Sequence, residues 1–251
     1  MRIILINNTS INGHFGSSLV IDTVHKKLKE RGLSIGRSIM MHHDWRQEWR
    51  MISGADLVIV NGEGSVHDNL RPELLQIASR RPSVLINTVF QNEPETDHLG
   101  RFKYISVRES LSQNEMSGHG IVPEVVPDLI FAADVERPEI IHDRIAMDSI
   151  MGGMGISPRN NAVEQIGKAR TICTGRFHGA CMALKWGMPF SAFPSNTHKT
   201  IGMMTDAGCS HLYFETQDEA MDNIQPFDGS EYVRKARESI DQMFDDICVL
   251  V

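Results

Sequence analysis

In the segment "TICTGRFHGACMALKWGMP", Arg176 and His178 stand two residues apart where a short apolar run gives way to an amphipathic stretch. Arginine offers a planar fork of donors that suits carboxylate and phosphate, and imidazole gives or takes a proton near neutral pH. If "RTICTG" is a strand and "FHGACMALKWG" a helix, both side chains lie at a helix N-terminus, where backbone N–H groups favour an anion. The small residues Gly179 and Ala180 permit close approach. A packed or capped first-turn histidine is the plainer alternative, and Met182, Leu184 and Trp186 read as core.

Ligands of open parallel sheets bind outside the carboxyl ends of the strands, so the loops that follow strands carry most weight. In "ISVRESL", Arg108 ends an apolar run and is a candidate second anion clamp; the alternative is that it merely pairs with Glu109 at a helix start. The loop "NNTSINGHFG" brings Asn12, Gly13 and His14, which either present backbone donors to an anion or serve as turn and capping residues. In "VNGEGSVHD", Asn61, Gly62, Glu63 and Gly64 follow a buried run, and the glycines are expected to let substrate approach the backbone. That loop lacks the Lys-Ser/Thr ending of a P-loop. Neither His67 with Asp68 nor "HHDW" at residues 42–45 brings the three or four converging ligands of a metal site, so no metal is expected.

These loops need a scaffold, and the periodicity supplies one. Apolar runs at residues 2–6, 34–40, 55–60, 83–90 and 104–108 predict strands, with a short one at 123–129. Between them, Val20, Val24 and Leu28 recur at helical spacing in a helix over residues 19–31, and further helices are expected near 45–52, 72–79 and 109–120. Such alternation predicts a parallel sheet covered on both faces. Residues 136–148, with "ERPEIIHD", read as a connection or irregular helix, and the domain boundary is placed there: 1–135 and 136–251. The second half repeats the alternation in a smaller form: strand and loop at 149–157, helix at 162–169, strand at 170–175, helix at 177–187, strand at 189–194 and helix at 198–208. A terminal helix over 230–247 is expected to pack back on the body.

A chain of 251 residues with net charge -7 is large enough for a sizeable core and has no basic footprint, so nucleic acid is not expected as a partner. No export signal and no apolar run long enough for a membrane span are visible, which predicts a cytoplasmic protein with peripheral membrane contact left open. The cysteines Cys173, Cys181, Cys209 and Cys248 form no CxxC pair and are expected to be reduced thiols.

Taken in order, "VNGEGSV", "YISVRESLS", "VVPDLIFA" and "TGRFHGACMALKWGMPFSAF" followed by "NTHKTIGMMTDAG" resemble the motifs of the polysaccharide pyruvyl transferase family, across roughly residues 1 to 210. The resemblance implies an α/β protein of two Rossmann-like parallel-sheet domains facing a cleft, as in GT-B glycosyltransferases, with the second domain small. It implies transfer of a pyruvyl group from phosphoenolpyruvate to a sugar of a cell-surface glycan or its precursor. Arg108, Arg176 and Lys199 would hold the donor, His178 would be the general acid, and the acceptor would meet Asn12, Gly13, His14, Asn61, Gly62, Glu63 and Gly64. No cofactor is implied beyond phosphoenolpyruvate as donor substrate. Only residues 136–170 separate the Pro-Asp motif from the Arg-x-His motif, fewer than is usual in the family, so the second domain is shortened and self-association is expected to replace lost burial.

Two alternatives share the frame. A GT-B-type glycosyltransferase would place a nucleotide-sugar diphosphate on Arg176 and Lys199, with an acidic residue such as Glu164 on the ribose. A non-catalytic sugar- or anion-binding homologue would keep the pocket and lack the chemistry.

Overall fold

The computed structural model describes residues 1–147 and 161–251. The apolar runs Ile3–Ile6, Leu57–Val60 and Val84–Ile86 dictate its centre: β1 (Ile3–Asn8), β3 (Leu57–Asn61) and β4 (Ser83–Thr88) are buried at every position, as strands covered on both faces must be. With β2 (Ile35–Met40), β5 (Tyr104–Val107) and β6 (Glu124–Val125) they form a parallel sheet of order β2-β1-β3-β4-β5-β6. The chain reverses its winding between β1 and β3, which pair directly from Ile3 opposite Leu57 to Ile6 opposite Val60. At such a switch point the loops after the two strands diverge to opposite faces and leave a crevice.

The helices between these strands are α1 (Phe15–Glu30), α2 (Trp49–Ile52), α3 (Glu73–Gln76) and α4 (Ser110–Ser117). The helix α1 begins a turn before the expected start, directly after His14. Helices α2 and α3 are single turns flanked by 3-10 segments, Trp45–Glu48 and Ile77–Ser79, rather than the longer helices expected. Glu109 is the N-cap of α4, its carboxylate accepting from the Ser112 N–H at 2.9 Å.

A second parallel sheet has the order β7-β8-β9, from β7 (His142–Met147), β8 (Ala169–Thr174) and β9 (Phe190–Ala192). The strand β7 corrects the expectation that residues 136–148 lie outside any sheet. "HDRIAM" has no continuous apolar run, but an edge strand needs only one hydrogen-bonded neighbour and tolerates charged residues, and β7 pairs with β8 from His142 opposite Ala169 to Met147 opposite Thr174. The strand and loop expected at 149–157 lie outside the described residues. Helices α5 (Ala162–Lys168), α6 (Phe177–Trp186), α7 (Lys199–Asp206), α8 (Gln217–Asp222) and α9 (Ser230–Val249) complete the chain.

The core runs without interruption from one sheet to the other: Leu5 and Ile59 belong to the same buried cluster as Ile130, Phe131, Ile172, Phe190 and Phe244. Helix α9 repeats its apolar face through Val233, Ala236, Ile240, Phe244 and Ile247 and is pinned to α1 by Lys27 to Asp241 and Arg31 to Asp245, both at 2.7 Å. Cys173, Cys181 and Cys209 are buried and Cys248 is half-buried, and none of them is in a disulfide among the described residues. Among the described residues no helix is long and apolar enough to cross a membrane.

Candidate functional site

The loops that follow β1, β3, β5 and β6 of the first sheet meet those that follow β8 and β9 of the second. Strand β8 ends at Thr174, whose hydroxyl accepts from the Arg176 N–H at 3.0 Å and turns the chain so that Arg176 becomes the N-cap of α6. His178 then lies in the first turn of α6 and faces the start of α1. The two helix starts touch so closely that a Cβ on Gly16 would lie 2.1 Å from His178 Nδ1. The rings of Phe15 and Phe177 meet the imidazole edge-on, with centroids 6.2 and 5.4 Å away. This leaves His178 Nε2 between two carboxylates, 3.6 Å from Glu63 Oε1 and 3.7 Å from Asp128 Oδ2. Those separations give strong attraction and are too long for a hydrogen bond.

Glu63 is buried at the end of the loop after β3, and its two oxygens accept from Thr9 Oγ1 at 2.6 Å and Ser17 Oγ at 2.8 Å. Thr9 belongs to the loop after β1 and Ser17 to the first turn of α1, so the carboxylate is tied across the switch point. Asp128 caps the 3-10 turn Leu129–Ala132 by accepting from the Ile130 N–H at 2.9 Å. Burial alone would raise its carboxyl; His178 and Arg108 together hold it well below the usual carboxylate range.

Arg108 follows β5, its N–H bound to the Thr88 carbonyl at 2.9 Å, and it is 1% exposed. It does not pair with Glu109. Its Nη1 donates to Asp128 Oδ2 at 2.9 Å and its guanidinium lies over the Phe177 ring, 4.7 Å from the centroid. The remaining nitrogens, Nε and Nη2, are buried without a hydrogen-bond partner among the described residues. Lys199, the first residue of α7, touches the side-chain oxygen of Asn196, and burial, helped by the Arg108 charge, pushes its ammonium down to about 7. Helix α7 is held there by α4: Ser110 N donates to Asp206 Oδ2 at 2.8 Å, and His198 Nε2 lies 3.4 Å from Glu109 Oε1.

A cavity of about 400 Å³ opens on this cluster. Of the residues singled out in the sequence, Arg108, Arg176, His178, Lys199, His14, Glu63 and Gly64 line it. Asn61 and Gly62 do not. The Asn61 amide is buried and donates to the Asn7 carbonyl and to Thr9 Oγ1, both at 3.2 Å, joining the loops after β1 and β3. Gly62 is a glycine because a Cβ there would lie 2.1 Å from Thr88 Oγ1, a matter of packing against β4 rather than of substrate approach. Gly13 closes the 3-10 turn Thr9–Asn12 in a left-handed conformation, φ 65°, and the Asn12 backbone belongs to that turn. Sequence reasoning passed over Thr9, Ser17, Phe177, Ser195 and Asn196, which also line the cavity, and Asp128 behind it. The Asp128 signal was present as a capping aspartate after a proline and before an apolar run. Among the described residues the lining carries Arg108, Arg176, Lys199 and two imidazoles against the carboxylate of Glu63, with Asp128 behind Arg108, so cationic groups outnumber carboxylates and the cavity favours an anion. Among the described residues no group of three or more His, Cys, Asp or Glu side chains is placed to hold a metal ion.

Sheet order, switch-point crevice and the second small parallel sheet define an α/β protein of Rossmann-like, GT-B-like architecture. No protein-family model and no curated protein matches the chain. Among solved structures, a functionally uncharacterised protein from Klebsiella pneumoniae superposes with a TM-score of 0.62 at 11% identity, over 86% of this chain and 93% of that one. The UDP-GlcNAc 2-epimerase from Methanocaldococcus jannaschii superposes with a TM-score of 0.52 at 12% identity, over 94% of this chain and 99% of that one. At such identities the likeness is one of fold.

Proposed function

We propose that this chain is a pyruvyl transferase-like enzyme, moving a pyruvyl group from phosphoenolpyruvate to a sugar of a cell-surface glycan or its precursor in the cytoplasm. The observation that carries this reading is Arg108: a fully buried cation whose Nε and Nη2 lack partners among the described residues, lining one cavity with Arg176, Lys199 and His178. Unpaired buried donors on a charged group are costly, and a small ligand with both a carboxylate and a phosphate would satisfy them. The residues 1–135 and 136–251 are proposed as the two units that present the acceptor and donor sides.

In the proposed reaction His178 gives a proton to the methylene carbon of the donor, leaving an oxocarbenium-like centre at the carbon bearing the phosphate. A sugar hydroxyl adds to that centre, phosphate departs, and a second hydroxyl closes the ketal. One hydroxyl proton replaces the one His178 gave up and the other leaves with phosphate, so the atoms balance. Glu63, beside the imidazole, is placed to take a hydroxyl proton.

Calorimetric titration with phosphoenolpyruvate tests the donor. Loss of one charge-assisted contact in Arg176→Ala is expected to weaken binding by about 10- to 100-fold, and absence of binding by the wild-type protein would sink the reading. The same titration has a pH signature. An anion favours charged Lys199, whose pKa in the empty site is about 7, so the ligand raises that pKa and takes up a proton. Affinity is therefore flat below about pH 7 and falls by up to about tenfold per unit above it, and Lys199→Met abolishes the fall. A slope that persists in Lys199→Met would assign it to another group.

The likeness to the epimerase favours a second reading, an enzyme acting on a nucleotide sugar. A ribose-holding carboxylate is what it lacks: Glu164 is exposed and ion-paired with Lys168, and among the described residues of 161–251 no carboxylate lines the cavity. Titration with UDP-GlcNAc beside phosphoenolpyruvate separates the two, and donor binding without phosphate release in the presence of sugars would identify a non-catalytic homologue.

A further inference from the structure

A second cavity, about 710 Å³, opens among the segments that lead into β3, β4 and β5. Its walls carry Trp45, Trp49, Arg46, Arg80, Arg101 and His98; among the described residues no carboxylate lines it, and Glu95 Oε1 stands 4.0 Å from His98 Nε2. In a chain of net charge -7 this concentration of arginine is local. Arg46 is engaged by Asp44, Nη2 to Oδ2 at 2.6 Å, whereas among the described residues the exposed Arg80 and Arg101 side chains have no carboxylate partner. Trp45 is buried and its indole N–H is spent on the Glu73 carbonyl at 2.6 Å; Trp49 keeps 38% of its surface exposed. The two rings are tilted by 57° with centroids 6.3 Å apart. They do not make the parallel slot in which a nucleobase would be sandwiched, but a single open indole face is what the apolar face of a sugar ring packs on. Gln76, Ser79 and His98 add polar atoms for hydroxyl groups, with His98 Nδ1 already 2.7 Å from Ser79 Oγ.

We propose that this cavity binds an anionic saccharide, its ring on Trp49 and its charge on Arg80 and Arg101. Arg80 and Arg101 stand three residues before β4 and β5, at the amino end of the sheet, whereas the first cavity lies beyond the carboxyl ends of the strands, so the two cavities are separate sites. Saccharide binding here stands independently of the transferase reading.

The test is a titration, read by tryptophan fluorescence and calorimetry, of the full chain with tetragalacturonate, the neutral maltotetraose and UMP, each in wild type, Trp49→Ala and Arg80→Ala/Arg101→Ala. Tetragalacturonate is expected to quench the wild type and to bind at least about tenfold more weakly to either variant, with maltotetraose weaker by a similar factor. Phosphoenolpyruvate binding should be unchanged in both variants, since neither change touches the first cavity. Equal tetragalacturonate affinity in all three proteins, tighter binding of UMP, or no saccharide binding by wild type would each overturn the proposal. Saccharide binding that the variants abolish, in a protein that never binds phosphoenolpyruvate, would leave the site standing and remove the transferase reading.

Discussion

Arg108→Met is expected to lower the melting temperature by roughly 6–20 °C at neutral pH, from a loss of about 3–5 kcal/mol spread over a chain of this size. The substitution keeps the volume over the Phe177 ring and strands Asp128, a buried carboxylate that is then left with His178 and the Ile130 N–H. The pH dependence identifies the cause. In the wild type the Asp128 carboxyl is depressed by His178 and Arg108 against the effect of burial. Its contribution to stability is therefore complete above the unfolded-state pKa of about 4 and is lost as pH falls through the lower folded value. Without Arg108 burial is opposed only by His178 and the Ile130 N–H and the folded pKa rises, so the deficit is largest at neutral pH and narrows as acid protonates the stranded group. Arg108→Met/Asp128→Asn removes the charge, retains an oxygen for the Ile130 N–H, and should recover most of the loss. Equal melting of Arg108→Met and wild type across pH 4–8 would show that the pair is not what holds this region. Because paired replacement of a buried ion pair is close to neutral for stability, a buried Arg-Asp pair with two idle donors is better explained by a ligand than by folding.

How much of this was legible beforehand depended on whether a feature is local. Residues 3–6 and 57–60 announce buried strands because they are unbroken apolar runs, with a shorter one at 84–86, and the rule that parallel sheets bind ligands beyond their carboxyl ends led to Arg108 and Arg176, while Lys199 came only with the family resemblance; the structure brings all three into one cavity. The strand β7 hid because "HDRIAM" opens on three polar or charged residues, and only the backbone pairing with β8 reveals it. Gly62 was misread for a related reason: a glycine after a strand invites a ligand, and only the fold shows the Thr88 hydroxyl filling that space. Gly16, Thr9 and Ser17 were passed over since their partners, His178 and Glu63, are brought to them by tertiary structure alone. Where the sequence offered two readings of Arg108, pairing with Glu109 or facing the cleft, the structure adds a third element, Asp128, that accounts for its burial without satisfying all its donors.

The other large effect falls on turnover. His178→Gln is expected to reduce phosphate release from phosphoenolpyruvate in the presence of sugar acceptor by about 10²- to 10⁴-fold, the usual worth of a positioned general acid. Donor affinity should change far less, since Arg108, Arg176 and Lys199 remain. The expectation comes from the place of Nε2: it is buried, makes no hydrogen bond to the described residues, and stands 3.6 Å from Glu63 Oε1 and 3.7 Å from Asp128 Oδ2 at the edge of the donor cavity. Glu63 is itself committed to Thr9 and Ser17, so it stays in place when the imidazole changes charge. Gly16→Ala makes the complementary change, keeping the imidazole and displacing it, because the new Cβ cannot share space with Nδ1. A loss of turnover intermediate between wild type and His178→Gln, with donor binding retained, would tie rate to the position of the ring. If instead His178→Gln weakens donor binding and leaves turnover at saturation intact, His178 is a donor-binding residue and the proton must come from Lys199 or from water.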